Sequence, residues 1–267
     1  MDWNKTKTIF ILTFFILNIF LSFKLIERKN ESQLEVITKS TIEDLLKEME
    51  IKYPKLPQIK KTETHISALN IPFNTEELSK LKQQQYTLNE DGTLIGIFES
   101  PITLTNPLQP EEEVAKFISE NLVNGTKYSY WKTGEDAKKV YFFQTFDGKP
   151  IYFNKKAMLI IHLNEEKQII GYEQNFLTVQ MKEAEQNILP PLKVIEVLLD
   201  KQYLQYEGII SKIELGYFNL PEIAGNIQVL APTWHVVIGN NHYFVDAIDG
   251  ELLKIGQNWG GEIGTTF

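Results

Sequence analysis

Residues 139–148 have the sequence Lys139-Val-Tyr-Phe-Phe-Gln-Thr-Phe-Asp-Gly148, and this stretch decides the class of fold. Side chains of a β-strand alternate between the two faces of a sheet. Val140 and Phe142 therefore share one face, while Tyr141 and Phe143 share the other. The last two residues are an Asp-Gly pair, which favours a tight turn. The pattern predicts a strand over 139–146 that ends in such a turn.

Similar apolar segments on both sides of this stretch predict further strands. They lie at 86–88 and 93–98 around a hairpin turn, and at 127–132, 156–163, 168–180, 209–219, 232–239, 242–247 and 251–255. One helix is predicted to start at Pro110, ahead of the strands between 127 and 180. A second is predicted to follow Pro190-Pro191, ahead of the strands between 209 and 255. A helix laid on an antiparallel sheet is the α+β arrangement. We therefore predict two packed units of this kind, at 60–182 and 183–267.

The N-terminal region predicts a membrane anchor. Residues 8–23 contain no charged side chain, and Leu25 and Ile26 extend this apolar run beyond Lys24. A helix over 8–26 nearly spans a hydrocarbon core of about 30 Å. The Lys-Leu-Ile-Glu-Arg-Lys sequence that follows lacks the small residues of a cleavage site, which argues against a removed signal peptide. We therefore expect a single transmembrane helix at 8–26.

This anchor divides the rest of the chain. Residues 1–7 form a short tail, and residues 27–59 form a juxtamembrane stalk that leads to the first α+β unit. We expect the tail in the cytoplasm and the large domain outside the cell membrane, because only seven residues precede the helix.

Two polar residues interrupt the apolar segment, and their spacing places them on one face. Asn18 and Ser22 are four residues apart, and Ile11, Phe14 and Leu25 lie on the same side of a helix. One interpretation is that the asparagine is merely tolerated. The other is that these five residues contact a partner helix, because an asparagine in hydrocarbon gains about 0.6–2 kcal/mol from an interhelical hydrogen bond.

The charge and composition exclude several functional classes. The net charge is −8, and residues 1–29 carry five cations against two anions, so the body of the chain is more acidic than the whole. An acidic body argues against nucleic-acid binding, which needs a basic surface. The chain has no cysteine, which excludes disulfides, thiol nucleophiles and cysteine-ligated metal centres.

No catalytic motif occurs in the sequence, so we predict neither an enzyme nor a cofactor site. His162 and His235 lie within predicted strands, which favours structural roles. Asp246, Asp249 and Glu251 cluster near one another, and either a turn or a cation site would suit them. The Asp249-Gly250 pair is a common hairpin signal, and the remaining EF-hand ligands are missing, so we favour the turn and predict no metal.

Both ends of the chain carry motifs of a known family. The start contains Met1-Asp2-Trp3, Lys5-Thr-Lys-Thr-Ile-Phe10 and Leu17-Asn18, and it resembles the YycI (WalI) family of low-GC Gram-positive bacteria. The end contains Pro232-Thr-Trp234, Tyr243-Phe-Val-Asp-Ala247 and Asp249-Gly-Glu251. It resembles the strand–turn–strand ending of PepSY-type domains, which that family shares. One anchor followed by a large exterior domain also matches the family layout.

The resemblance implies a regulatory function. Proteins of this family work with a YycH-like partner and modulate the WalK/YycG sensor histidine kinase of a two-component system that controls cell-wall metabolism. Their transmembrane helices are thought to contact the kinase, which would give Asn18 a role. The alternative is an extracytoplasmic PepSY-type binding module or protease inhibitor that acts through the surface of its sheet.

Overall fold

The structure is a computed structural model that describes residues 3–33, 35–71, 73–104, 110–220 and 227–254. The chain divides into two compact units, Met1–Ile51 and a second that begins at Lys52. Within the described residues, the first unit is helical and the second contains all the strands. The predicted α+β class is therefore confirmed.

Five α-helices are present in the described part of the chain. They are α1 (Trp3–Gln33), α2 (Glu35–Glu48), α3 (Thr75–Leu78), α4 (Pro110–Asn121) and α5 (Pro191–Asp200). The same residues form fifteen β-strands. They are β1 (Thr62–Glu63), β2 (Ile66–Asn70), β3 (Gln84–Leu88), β4 (Leu94–Ile102), β5 (Tyr128–Thr133), β6 (Lys139–Phe146), β7 (Lys149–Tyr152), β8 (Met158–Leu163), β9 (Ile169–Gln174), β10 (Leu177–Lys182), β11 (Gln186–Asn187), β12 (Ile210–Asn219), β13 (Ile227–Ile238), β14 (Asn241–Asp246) and β15 (Leu252–Leu253).

The first helical unit spans the predicted anchor and most of the predicted stalk. The 8–26 segment lies inside α1, and the 27–59 segment contains the end of α1 and all of α2. Across the described residues, no helix combines the length and hydropathy needed to cross a membrane. The transmembrane assignment of residues 8–26 is therefore not confirmed and stays a prediction.

Thirteen strands form one large sheet with two halves. In the first half, β3, β4, β9, β8, β6 and β5 pair antiparallel in that order. In the second half, β10, β2, β13 and β12 pair antiparallel, and β14 and β15 extend from β13. β7 joins the halves, since it makes a hairpin with β6 and pairs parallel to β12.

The turn between β6 and β7 lies at the end of the 139–148 stretch and connects the two halves of the sheet. Asp147 and Gly148 both have positive φ, at 48° and 76°, as a type I′ hairpin turn requires. Glycine reaches this region without steric cost, and aspartate tolerates it better than most residues. This two-residue turn redirects the chain from the first half of the sheet into the second.

A helix packs on the first half of the sheet, and a second helix precedes the strands of the second half. In the first half, Val114 and Ile118 of α4 are buried with Phe142, Leu159 and Tyr172 of the sheet in one hydrophobic cluster. In the second half, the segment leading into α5 contacts β13, because the indole of Trp234 donates to the carbonyl of Leu189. The predicted pattern of a helix followed by several antiparallel strands therefore occurs twice.

The predicted boundary between residues 182 and 183 does not separate two sheets. β2 and β10 precede that boundary, yet β2 pairs with β13 and β10 pairs with β2. β7 also precedes it and pairs with β12. Alternation along a strand shows which of its faces is buried but not which strand lies beside it. The pairing of β2, β7 and β10 with strands from beyond the predicted boundary could therefore not be predicted from the sequence.

The predicted strand 168–180 is two strands, β9 and β10, separated at Asn175-Phe176. The side chain of Gln144 explains the change of partner. Its amide nitrogen donates to the carbonyl of Leu177 at 2.7 Å, and its oxygen accepts from the Leu177 N–H at 2.7 Å. A buried glutamine thus satisfies the backbone of Leu177, where the chain passes from the first half of the sheet to the second.

Gly96 in β4 gives a test of this packing. A Cβ at this position would overlap the ring of Tyr172, which is fully buried on the neighbouring strand. We expect Gly96→Ala to lower the free energy of unfolding by about 1–3 kcal/mol, because the core has to repack around the added carbon. Urea unfolding of the full chain in mild detergent, followed by far-ultraviolet circular dichroism, measures the change.

Gly134→Ala is the matched control, because its nearest neighbours would lie at an ordinary 3.5 Å. Adding Tyr172→Leu to Gly96→Ala should cost less than the two single changes together, since the smaller side chain removes the overlap. Strictly additive losses would show that Tyr172 is not what Gly96 accommodates.

Candidate functional site

The predicted contact residues Ile11, Phe14, Asn18, Ser22 and Leu25 all lie in α1. Their spacing of three or four residues places them along one face of the helix, which we call the Asn18 stripe. The first four side chains are exposed, with Ile11 at 71% and Phe14 at 61%. The side chain of Leu25 lies outside what the structure describes. The structure thus supports the shared face, and the contact itself stays a prediction.

The other faces of α1 are also apolar and exposed. Large hydrophobic side chains surround the helix, namely Phe10, Leu12, Phe15, Ile16, Leu17, Ile19, Phe20 and Leu21. Asn18 is therefore the amide side chain in a surface that is otherwise apolar except for the hydroxyl residues Thr8, Thr13 and Ser22. Because a polar group in such surroundings gains from a hydrogen-bonding partner, it is the residue of the stripe best suited to specify a contact.

A second candidate site lies in the second half of the sheet. It consists of Tyr152, Lys212, Glu214, His235 and His242, which we call the His235 network. The register of β12 and β13 places Glu214 directly opposite His235. The β13–β14 hairpin places His235 opposite Phe244, which is two residues from His242 and therefore on the same face of β14. Side chains that share a face on adjacent strands are close enough to bond.

The network is a chain of short hydrogen bonds through one carboxylate. Oε1 of Glu214 lies 3.1 Å from Nδ1 of His235, and it accepts from the Tyr152 hydroxyl at 2.7 Å. Nζ of Lys212 lies 2.7 Å from the same oxygen. On the other side of the ring, Nε2 of His235 lies 2.8 Å from Nδ1 of His242. His235 itself is fully buried.

These contacts determine the proton positions of both imidazoles. A carboxylate only accepts, so Nδ1 of His235 carries the proton that it donates to Glu214. Nε2 of a neutral His235 is then an acceptor, and Nδ1 of His242 has to be the donor. All the bonds therefore point towards Glu214, and Nε2 of His242 remains as the outermost acceptor of the chain.

Aromatic rings surround the two histidines. The ring of Phe244 stacks on His235 with centroids 4.7 Å apart, and Trp131 lies 5.4 Å from His235 and 5.0 Å from His242. Tyr152 lies 5.1 Å from His235. The indole nitrogen of Trp131 is buried without a hydrogen-bond partner in the described part of the chain. This apolar environment disfavours any additional charge on the imidazoles.

The environment lowers the pKa of the carboxyl group and of both imidazoles, but for different reasons. Burial lowers the pKa of His235, and the neighbouring Glu214 only partly offsets this effect. Burial, followed by the charges of His235, Lys212 and Lys132, lowers the pKa of His242 to about 4. Burial raises the pKa of Glu214, but hydrogen bonds from His235, Lys212 and Tyr152 outweigh it and hold the pKa at about 2. At neutral pH the network therefore contains a carboxylate and two neutral imidazoles.

The sequence pattern indicated a structural strand residue at His235 and gave no connection between it and Glu214 or His242. The hairpin at Gly239-Asn240 was a usable signal, because a two-residue turn places residues 237 and 242 opposite each other and so brings His242 beside His235. No signal in the sequence placed Glu214 or Tyr152 beside them. His162, the other predicted structural histidine, lies on β8 with Nε2 2.9 Å from Oε1 of Glu173.

Asp246, Asp249 and Glu251 lie in a turn in which the two aspartate carboxylates accept hydrogen bonds from nearby backbone N–H groups. The Asp246 carboxylate accepts from the N–H of Ile248 at 2.8 Å, and the Asp249 carboxylate accepts from the N–H of Glu251 at 2.8 Å. Gly250 has a φ of 77°, which glycine adopts without strain. The carboxylates therefore act as turn-capping groups. Within the described residues, no cluster of three or more histidines and carboxylates suits a metal ion.

Comparisons with known proteins give one family. Residues 29–248 match the family model described as YycI protein, which covers most of the chain. No curated protein matches. Among solved structures, the chain resembles an uncharacterized protein from Eubacterium rectale, with 14% identity and a TM-score of 0.46. That match covers 78% of this chain and 91% of the other.

Proposed function

Because the chain belongs to the YycI family, we propose that it is a membrane-anchored regulator of a sensor histidine kinase that controls cell-wall metabolism. The family implies a role in the YycG/WalK two-component system. In this proposal the protein acts with a YycH-like partner, through its transmembrane helix and its exterior domain. Its N-terminus lies in the cytoplasm, and its sheet domain lies outside the cell.

The observation that supports a membrane anchor is the exposed apolar surface of α1. Sixteen consecutive residues, 8–23, have no charge, and apolar side chains are exposed on every side of the helix. Covering one large hydrophobic side chain is worth about 1.5–3 kcal/mol, so eight or more of them strongly favour an apolar environment. A bilayer provides such an environment around the whole circumference.

The Asn18 stripe gives the anchor a means of regulation. A kinase whose transmembrane helices exchange between two arrangements shifts towards the arrangement that the neighbouring helix binds better. An interhelical hydrogen bond of about 0.6–2 kcal/mol is enough to change such populations several-fold. Asn18 supplies both a donor and an acceptor for that bond.

We expect Asn18→Leu to weaken the association with the kinase by roughly 3- to 30-fold, because it removes an interhelical hydrogen bond of about 0.6–2 kcal/mol. Leucine suits hydrocarbon better than asparagine, so membrane insertion is maintained or improved. Co-purification of the kinase from detergent-solubilised membranes measures the association. Circular dichroism of the purified full chain checks that the sheet is unchanged.

Thr13→Leu is the matched control, since it also replaces a polar residue of α1 by leucine. At about 100° per residue, Thr13 lies roughly 140° around the helix from Asn18. The control should recover as much kinase as the parent. Equal recovery of the kinase with both variants would contradict the role of the Asn18 stripe and would leave the exterior domain as the site of contact.

A further inference from the structure

Among the residues that the structure describes, the first half of the sheet ends in an edge strand that lacks the usual protection. Four strands end the large sheet within the described residues, β3, β5, β10 and β15. β5 and β10 each contain a register shift, and β15 has only two residues. Bulges and very short strands are the usual means of protecting a sheet edge. β3 pairs with β4 over five residues without a shift and contains neither lysine nor proline.

The hydrogen-bond pattern shows which groups of β3 point outwards. The N–H of Asn89 bonds to Thr93, and the N–H of Glu99 bonds to Gln83, so odd-numbered residues of this strand bond to β4. In an antiparallel pair the residues between them direct their N–H and C=O groups away from the partner. Gln84, Tyr86 and Leu88 therefore present three donors and three acceptors along the free edge.

The side chains along this edge are suited to bind a strand. Tyr86 and Leu88 are 43% and 37% exposed, and Gln85 and Thr87 are also exposed. A lysine, Lys82, precedes the strand and a glutamate, Glu90, follows it, and both are exposed. A cation therefore lies beyond one end of the strand and an anion beyond the other, with an exposed tyrosine and leucine between them.

This charge distribution is complementary to itself. In an antiparallel pair of two copies centred on Tyr86, residue 84 lies opposite residue 88 of the second copy. The end of each strand that Lys82 precedes, beyond the left-handed Gln83, then lies beside the end of the other strand that leads into the turn at Glu90. All three outward-pointing residues then fall in hydrogen-bonded pairs, which would complete six backbone bonds. Opposite charges at both ends favour this register, and a two-fold axis through Tyr86 satisfies both copies equally.

We propose that β3 is a self-association edge, at which two copies of this chain pair antiparallel about Tyr86 and join their sheets into one. A five-residue ladder makes a small interface, which is typical of a weak and reversible dimer. This inference is independent of the proposed kinase contact, because it rests on the sheet domain and not on α1.

Cysteine crosslinking tests the register, because the chain contains no cysteine of its own. Tyr86→Cys places the two introduced thiols across the axis, at a Cα separation of about 5.5 Å. A disulfide accepts Cα separations of about 4.4–6.8 Å. We expect mild oxidation of the purified full chain in detergent to give a covalent dimer of Tyr86→Cys.

Thr87→Cys is the matched control on the same exposed strand. In the proposed register Thr87 lies opposite Gln85, so two copies of Thr87 are diagonal neighbours at about 7–8 Å, beyond disulfide range. The dimer yield should be at least about fivefold lower than for Tyr86→Cys. A mixture of Thr87→Cys with Gln85→Cys should crosslink again. Equal yields for Tyr86→Cys and Thr87→Cys alone would overturn the proposed register.

Charge exchange distinguishes a second copy from a different partner. In the Tyr86→Cys background, Glu90→Lys should reduce the dimer yield about threefold, because like charges then meet at both ends. The combined change Lys82→Glu with Glu90→Lys should restore the yield, since each copy again opposes unlike charges. Failure of this exchange to restore crosslinking would overturn the pairing of two copies. A crosslink to another polypeptide from native membranes, in place of the dimer, would equally overturn it.

Discussion

Replacing Trp234 by alanine is expected to lower the free energy of unfolding by about 3–5 kcal/mol, the usual cost of deleting a large buried aromatic side chain. Trp234 is fully buried at the centre of β13, between Leu215 of β12 and Val245 of β14. Its indole also donates to the carbonyl of Leu189 at 3.0 Å, so alanine would leave both a cavity and an unpaired acceptor. Natural domains are stable by only about 5–15 kcal/mol, so the loss is a large fraction of the total.

Urea unfolding of the full chain in mild detergent measures this loss through the β-sheet signal in circular dichroism. Tyr203→Ala is the control, because Tyr203 is an aromatic residue beyond the end of α5 that is 42% exposed. It should cost less than about 1 kcal/mol, since little apolar area leaves the core. A small loss for Trp234→Ala would show that β13 is not the central strand of the second half of the sheet.

Acidification from pH 6.5 to about 4 is expected to remove about 2 kcal/mol of stability through the His235 network. Both imidazoles have pKa values below the ordinary value near 6.5, and that of His242 is about 4. The unfolded chain therefore binds more protons than the folded chain between about pH 6.5 and 4. The contribution of the two histidines to the free energy of unfolding is complete above about pH 6.5 and is lost as the pH falls. A pKa shift of one unit corresponds to about 1.4 kcal/mol of stability. The loss that we expect is smaller than this conversion would give for His242, because its side chain is only partly buried and solvent screens its charge.

The network also responds at lower pH, in a separate window. The depressed pKa of Glu214, about 2, gives stability that is present above about pH 4.5 and is lost as the pH falls towards 2. Burial raises the pKa of Tyr152, whose hydroxyl donates to Glu214, well above its ordinary value, so this group stays protonated throughout the acid range. The change between pH 6.5 and 4.5 therefore reports the imidazoles.

His242→Gln separates the contribution of the outer histidine. The glutamine amide can donate to Nε2 of His235, so the hydrogen-bond chain is preserved while one ionisable group is removed. The loss of stability between pH 6.5 and 4.5, measured by urea unfolding at each pH, should fall to roughly half of the parent value. An unchanged loss would show that His242 is not responsible for this acid sensitivity.

Local signals predicted the individual elements of the fold well. The strand predicted at 139–146 is β6 with the same bounds, and the helix predicted to start at Pro110 is α4, which begins at that residue. The hairpin turn at Asp147-Gly148 also forms. Each of these features depends on residues close together in the chain, where side-chain period and turn chemistry act directly.

The Asn18 stripe was predictable from the sequence, whereas the His235 network and the free edge of β3 were not. Asn18 and Ser22 were recognisable because a helix relates residues four apart. Glu214 and His235 are twenty-one residues apart and meet only through the register of β12 and β13. The exposure of β3 likewise depends on its place at the end of the sheet order, which its own five residues do not specify.

Local patterns in the sequence were enough to predict the apolar N-terminal helix, the α+β class, most of the longer strands, the hairpin turns and the resemblance to the YycI family. The tertiary structure alone decided that β2, β7 and β10 join the second half of the sheet, so that the two predicted units share one sheet. It also decided which polar groups are buried together and which strand edge remains unpaired. The physical reason is that backbone hydrogen bonds between strands have the same chemistry for every residue, so neighbours are selected by the packing of whole faces and by chain connectivity.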